Sequence, residues 1–81
     1  MRGYHCTKLA GHIDTIKPVR MDSVYMFQDL ADACRFLAEF GYDHILLVEF
    51  QSADVLRRWR AKYGHVVRLK PGRNARVLET I

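Results

Sequence analysis

Residues 29–50 decide the fold class, and their sequence is DLADACRFLAEFGYDHILLVEF. Apolar residues recur at helical spacing from Leu30 to Phe40, with Asp29 at an N-cap position and Gly41 just after the last turn. His44 to Phe50 is instead a short run of mostly branched apolar residues, typical of a strand that is buried on both faces. The stretch therefore predicts a helix followed by a central strand.

The other elements are predicted outward from this unit. On its N-terminal side we expect strand Gly3–Thr7, a short helix Lys8–Ile13, and strand Val24–Phe27. On its C-terminal side we expect helix Ala53–Tyr63, followed by a hairpin of strands His65–Leu69 and Ala75–Ile81 around Pro71-Gly72. Residues 1–81 are then a single α+β domain, a small mixed and mostly antiparallel sheet of about five strands with two to three helices.

The composition favours a folded protein in the cytoplasm. Hydrophobic residues make up 49% of the chain and charged residues 27%, which excludes wholesale disorder. No apolar stretch approaches the roughly 20 residues of a membrane helix, and Arg2 followed at once by Gly3 does not resemble a secretory leader. Two cysteines, Cys6 and Cys34, are too few for a disulfide scaffold, so we expect reduced thiols.

Positive charge is concentrated in the C-terminal part of the chain. Residues 1–50 contain five Lys/Arg and seven Asp/Glu, a charge of −2, whereas residues 51–81 contain eight and two, a charge of +6. This asymmetry indicates nucleic acid or an acidic protein surface as partner, although solvated basic residues also serve solubility alone. The candidate binding residues are Arg57, Arg58, Arg60, Lys62 and Arg73.

Two aromatic residues of the same segment have two possible roles. Trp59 and Tyr63 could stack on bases, as aromatic side chains do in many nucleic-acid-binding proteins. Their helical spacing with Val55 and Leu56 favours core packing instead. Without stacking residues, the basic segment would attract phosphate groups but would not recognise bases.

The spacing of cysteine and histidine does not favour metal or thiol chemistry. No C-x-x-C, H-x-x-x-H or similar pair is formed by the possible ligands His5, Cys6, His12, Cys34, His44 and His65, so we predict no metal site. Adjacent residues on a strand point to opposite faces, which argues against a nucleophile pair of His5 and Cys6.

Two short motifs remain, Tyr4-His5-Cys6-Thr7 and Val24-Tyr25-Met26-Phe27. In this order, and with Ala33 at a close-packing position of the following helix, they resemble the ADP-ribosyltransferase superfamily, particularly its small bacterial and phage members. The resemblance runs through nearly the whole chain, and the two motifs are its specific part. It implies an ADP-ribosyltransferase-like fold with NAD as cofactor.

The resemblance also implies roles for single residues. In that family the motif histidine hydrogen-bonds a ribose hydroxyl of NAD and the tyrosine stacks on the nicotinamide ring, so His5, Tyr25 and Thr7 are expected to bind the cofactor. A glutamate on a late strand stabilises the positive charge that develops as the glycosidic bond breaks, and Glu79 is the candidate for this catalytic role. Cys6 departs from the pattern, because it stands where the family has a glycine.

Two functions follow from these observations. The first is NAD-dependent transfer of ADP-ribose to a macromolecular target, which the ordered motifs favour. The second is a catalytically inactive basic binding module, for example a phage- or plasmid-encoded inhibitor, that captures an acidic protein surface or nucleic acid. The short chain and the position of Glu79 close to its end favour the second.

Overall fold

The computed structural model describes residues 1–8, 15–18 and 22–81. The helix predicted over Lys8–Ile13 lies, apart from Lys8, outside the described residues. The described residues form these elements: β1 Arg2–Thr7, β2 Thr15–Ile16, β3 Tyr25–Phe27, α1 Leu30–Phe40, β4 His44–Glu49, a 3-10 helix Ser52–Asp54, β5 Val55–Ala61, β6 Gly64–Leu69 and β7 Ala75–Thr80.

The strands join one antiparallel sheet in the order β2-β7-β4-β1-β3-β6-β5, and the sheet curls into half a barrel. The expected α+β fold, an ADP-ribosyltransferase-like mixed sheet with two to three helices, is therefore wrong. Within the described part of the chain the protein is mostly β, with seven strands and a single α-helix.

The segment Ala53–Tyr63, predicted to be a helix, accounts for much of this difference, because Val55–Ala61 within it forms β5. Arginine, alanine and lysine are good helix formers, but β5 pairs along its length with β6, and tertiary pairing overrides intrinsic propensity. A register shift between Val55 and Arg57 marks a bulge. Since a bulge breaks the two-residue alternation of a strand, it concealed the strand pattern of this segment.

The predicted hairpin of the last two strands is also wrong. Both strands exist, but β6 pairs with β3 and β5, whereas β7 pairs with β4 and β2. Leu69 at the end of β6 and Ala75 at the start of β7 nevertheless lie in the same buried core. The connection between them therefore joins two strands that β4, β1 and β3 separate in the sheet.

The segment around α1 and β4 agrees with the sequence analysis. Helix α1 spans Leu30–Phe40 as predicted, and Gly41 ends it with a φ of 68°, a left-handed conformation that glycine adopts without strain. Strand β4 spans His44–Glu49 and is the third strand of the sheet. Ile45 belongs to one core cluster and Leu46 to the other, so the predicted burial on both faces is confirmed.

The two faces of the sheet carry separate cores. One contains fully buried residues of several strands, including Met26, Val48 and Val67, and the curl of the sheet itself encloses it. The other lies between the sheet and α1 and contains Phe27 and Ala33. We call the second face the helix side, and it positions the site described next.

Candidate functional site

Strands β1 and β3 meet where the two sequence motifs lie. β1 pairs with β4 along its whole length, but its register with β3 is formed by Tyr4 and Phe27. Beyond this pair the ring of His5 bridges the two strands, with its Nδ1 2.7 Å from the carbonyl oxygen of Tyr25. The structure therefore brings together His5 and Tyr25, the two residues to which the resemblance assigns NAD contacts.

The hydrogen bond to Tyr25 fixes the tautomer of His5. A carbonyl oxygen only accepts, so Nδ1 carries the proton and donates, which leaves Nε2 of the neutral ring as an acceptor. Desolvation by burial lowers the pKa of His5 below its ordinary value of 6.5, against a smaller raising effect of the hydrogen bond. At pH 7 His5 is therefore neutral, and its Nε2 can accept a hydrogen bond from a hydroxyl group.

A cavity of about 280 Å³ lies on the helix side at this point. It is lined by both His5 and Tyr25, and its wall is mainly aromatic, with Tyr4, Tyr25, Phe27, Phe36, Tyr42 and Tyr63 contributing rings. Small-molecule sites in proteins usually measure about 300–1,000 Å³. The cavity therefore has room for one ring system and not for a whole dinucleotide.

Phe36 of α1 organises the aromatic wall of this cavity. Its ring centroid lies 5.1 Å from that of Phe27, 5.4 Å from that of Tyr42 and 5.6 Å from that of Tyr63. These separations fall within the range of about 4.5–7 Å in which aromatic pairs attract each other. The rings hold one another in place, so the wall is formed before any ligand enters.

Cys6 lines the same cavity but is not a nucleophile. Its Sγ donates to the carbonyl oxygen of Ala33 over 3.4 Å, which ties β1 to α1. Burial, with a further contribution from Cys34, raises the pKa of Cys6 to about 11, so the thiol stays protonated at neutral pH. The side chain of Cys6 is thus held against the helix.

The other two residues that the resemblance assigns to the site lie elsewhere. Glu79 is exposed on β7 opposite Leu47 of β4, and β4 separates it from β1. With neighbouring strands about 4.8 Å apart, its backbone is roughly 10 Å from β1. Thr7 is buried at the end of β1, where its carbonyl accepts the N–H of Asp43 at 3.2 Å. Within residues 1–8, 15–18 and 22–81, no carboxylate lines the cavity.

The basic residues of β5 are divided between the two faces of the sheet. Arg57 pairs with Arg68 of β6, and Trp59 pairs with Val66, which packs in the core under α1. Both therefore lie on the helix side. Arg58 and Arg60 alternate with them and point to the opposite face.

The remaining two predicted basic residues lie outside β5. Lys62 is in the turn before β6, with its Nζ 5.4 Å from the ring centroid of Tyr63. Arg73 is in the connection to β7, where its Nε lies 3.5 Å from a carboxylate oxygen of Asp54. The five predicted basic residues therefore do not form a single patch.

Arg68, another basic residue of the C-terminal part of the chain, also lies on the helix side, and Trp59 and Tyr63, which were predicted to lie on a helix, are on β5 and in the turn before β6. The guanidinium carbon of Arg68 lies 5.5 Å from the ring centroid of Tyr25, and its Nε donates to Ser23 at 3.0 Å. The alternation of residues 65–69 indicates that Arg68 and Val66 share a face. Strands β3 and β5, which flank Arg68 and Val66 of β6, could not be identified as its neighbours without the sheet order.

A small polar cluster lies where the β5–β6 turn meets α1. Carboxylate and imidazole atoms of Asp29, Asp32 and His65 approach within 4.8 Å of one another. Asp32 is buried, forms an ion pair with Arg35 and accepts the backbone N–H of His65 at 3.4 Å. These bonds give Asp32 a structural role, since they attach the first turns of the helix to the hairpin.

Within the described ranges there is no helix of the length and apolar character that crossing a membrane requires. Comparisons with protein-family models, curated proteins and solved structures give no match to this chain.

Proposed function

We propose that the protein binds NAD, with the nicotinamide ring in the aromatic cavity and the attached ribose next to His5. The observation that carries the proposal is the hydrogen bond between His5 and the carbonyl of Tyr25. It joins, at the edge of one cavity, the two residues to which the sequence resemblance gives NAD contacts.

The chemistry of the cavity supports this ligand. The Nε2 atom of neutral His5 is an acceptor, and a ribose hydroxyl is a donor at neutral pH. The nicotinamide ring of oxidised NAD carries a positive charge, and aromatic faces such as that of Tyr25 attract cations. A volume of about 280 Å³ suits this ring, while the rest of the dinucleotide would lie outside.

The position of Glu79 supports a protein that binds NAD but does not transfer ADP-ribose. Cleavage of the glycosidic bond develops positive charge on the ribose, and a carboxylate must lie close to that charge to stabilise it. Glu79 is on a strand that β4 separates from β1. The protein is accordingly a catalytically inactive NAD-binding module, and we place it in the cytoplasm, where Cys6 and Cys34 remain thiols.

A titration followed by amide chemical shifts tests the proposal with three ligands. NAD and nicotinamide mononucleotide should both shift amides of β1 and β3 in a saturable way, because both contain the nicotinamide riboside. ADP-ribose lacks the nicotinamide ring and should bind more weakly. Equal shifts from ADP-ribose and NAD would contradict the assignment of the cavity to nicotinamide, and absence of saturable shifts with NAD would overturn the proposal.

A matched pair of histidine variants locates the binding. His5→Ala removes the acceptor at the cavity and should weaken NAD binding by about tenfold, the effect of losing one hydrogen bond of roughly 1.4 kcal/mol. His44→Ala removes a partly buried histidine that pairs with Thr7 at the far end of β1. It should leave NAD binding unchanged. Equal losses in both variants would show a general effect on the sheet.

A further inference from the structure

The end of the sheet that carries β5 and β6 presents a second surface on the helix side. In the register of the sheet, Arg57 lies opposite Arg68, and Arg68 lies opposite Tyr25. Trp59 is in the next row on the same face, opposite Val66. We call the side chains of Arg57, Trp59, Arg68 and Tyr25 the Arg57–Trp59 face.

Cations and aromatic rings alternate on this face. The guanidinium carbon of Arg57 is 4.9 Å from the ring centroid of Trp59, and that of Arg68 is 5.5 Å from the ring centroid of Tyr25. The two rings meet edge to face, with centroids 6.4 Å apart and an interplanar angle of 88°. Each ring is therefore held in place next to a positive charge.

Helix α1 does not cover this part of the sheet. Its main packing partners among the described strands are β1, β3 and β4, and its contacts with the β5–β6 hairpin lie at the turn, where Phe36 meets Tyr63 and Asp32 meets Gly64 and His65. β5 is an edge strand, Arg57 is exposed, and Trp59 is partly exposed. An extended ligand can therefore lie across the Arg57–Trp59 face.

The charge of the hairpin specifies the kind of ligand. Residues 55–69 contain five Lys/Arg and no Asp or Glu. An acidic peptide would match the charge but would not use the two aromatic rings. A nucleic acid duplex would match the charge but keeps its bases stacked inside, away from a sheet surface. Single strands offer both phosphates for the arginines and bases for the rings.

We propose that the Arg57–Trp59 face binds single-stranded nucleic acid, with bases on Trp59 and Tyr25 and phosphates at Arg57 and Arg68. The proposal rests mainly on Arg57, Trp59 and Arg68, and none of these three residues lines the cavity proposed to bind NAD. Tyr25 contributes to both sites.

The chain offers a direct optical probe, since Trp59 is its one tryptophan. Titration with an oligothymidylate of about 12 nucleotides, within the usual site size of about 4–16, should quench the fluorescence of Trp59 in a saturable way. Contacts from two arginines predict a slope of log K against log salt of about −1.4. If saturating oligonucleotide binds without quenching Trp59, or if no binding occurs at low salt, the proposal fails.

Two neighbouring arginines provide a matched control for charge. Arg57→Gln and Arg58→Gln remove the same charge from adjacent residues of β5 that point to opposite faces of the sheet. Arg57→Gln should weaken binding and make the salt slope about 0.7 less steep, whereas Arg58→Gln should change neither. Equal losses in both variants would mean that net charge alone attracts the strand, and would overturn the proposal.

Trp59→Leu tests the contribution of stacking. It keeps an apolar side chain but removes the ring, and should weaken oligothymidylate binding by at least about fivefold in fluorescence anisotropy. Amide shifts on addition of NAD report whether the variant remains folded and whether the cavity is intact. The proposal of single-strand binding can therefore fail while the proposal of NAD binding holds, and the reverse. Displacement of the oligonucleotide by polyglutamate or by duplex DNA as effectively as by unlabelled single strand would contradict the assignment.

Discussion

The helix side of the sheet contains two aromatic regions that differ in cover and charge. Under α1, the ring of Phe36 packs against Phe27 and Tyr63, with centroids 5.1 and 5.6 Å away, around a cavity with uncharged walls. Beyond α1, the rings of Trp59 and Tyr25 each lie next to an arginine. The same face of one sheet thus forms a pocket in one place and an open surface in another.

The difference shows that the role of an aromatic residue on a sheet depends on whether other side chains pack over it. A ring covered by other rings loses its contact with water and becomes the wall of a cavity. A ring next to a guanidinium keeps an accessible edge and a nearby positive charge, because arginine packs over apolar surface while its charged group stays hydrated. Tyr25 lies at the boundary and contributes to both regions.

The largest loss of stability is expected from a substitution at Gly64, where the β5–β6 turn meets α1. Its φ is 134°, and a Cβ there would overlap the side chain of Asp32 in α1. Gly64→Ala should lower the free energy of unfolding by about 3 kcal/mol or more, since overpacking and backbone strain each contribute about 1–3 kcal/mol. Urea denaturation measures this loss.

A second glycine provides the control for this substitution. Gly72 has a φ of 79° but open space around the position of an added Cβ. Gly72→Ala should therefore cost only the strain of the left-handed backbone, about 1 kcal/mol. If the two variants lose equal stability, the contact between Gly64 and Asp32 does not join the hairpin to the helix as the structure indicates.

A smaller loss of stability is expected from Phe36→Ala, which removes a ring of the cavity wall. Burial of a phenylalanine usually contributes about 3–5 kcal/mol, and because Phe36 is only partly buried we expect a loss of about 2 kcal/mol in urea denaturation. Phe40→Ala, at a ring that is 48% exposed, should cost less. The Phe36 variant should also lose NAD binding but retain quenching of Trp59 by oligothymidylate. Loss of both would show that the cavity and the Arg57–Trp59 face are not independent.

The parts of the fold that were predictable depend on local signals. The helix Leu30–Phe40 has its cap positions and its apolar stripe within thirteen residues of chain, 29–41, so it required no knowledge of its partners. The strand β5 carries helix-forming residues and a bulge at Val55, and its conformation depends on pairing with β6. That pairing is a tertiary property, which is why the prediction of a helix over Ala53–Tyr63 was wrong.

The residues of the candidate sites also fall into those that local sequence identifies and those that only strand pairing brings together. His5 and Tyr25 could be named from two short motifs, because each motif is contiguous in sequence. The Arg57–Trp59 face could not, since Arg68 and Tyr25 become neighbours only through the register of β3 with β6. Glu79 was named because it is a glutamate on a late strand, and the sheet order places β4 between it and β1.

The smallest expected effect is a dependence of the free energy of unfolding on pH, which arises from His5 of the cavity. In the unfolded chain His5 titrates near its ordinary pKa of 6.5, whereas burial lowers its pKa in the folded protein. As the pH falls below about 6.5 the unfolded chain takes up the proton first, so the free energy of unfolding decreases from there down to the folded pKa. Above about pH 6.5 both states are neutral, and His5 makes no contribution to the pH dependence.

Urea denaturation between about pH 7.5 and 5 should show this decrease in the native protein and in His44→Gln, and a weaker decrease in His5→Gln. NAD binding should weaken only at lower pH, as the pH approaches the folded pKa of His5 and falls below it, because protonation of His5 in the folded protein removes its acceptor. The positive charges of the Arg57–Trp59 face come from arginine, a residue type that is not deprotonated in proteins, so oligothymidylate binding should change little while the protein remains folded. A parallel loss of both ligands in the folded protein would contradict the separation of the two regions, because His5 lines the cavity and is not part of the Arg57–Trp59 face.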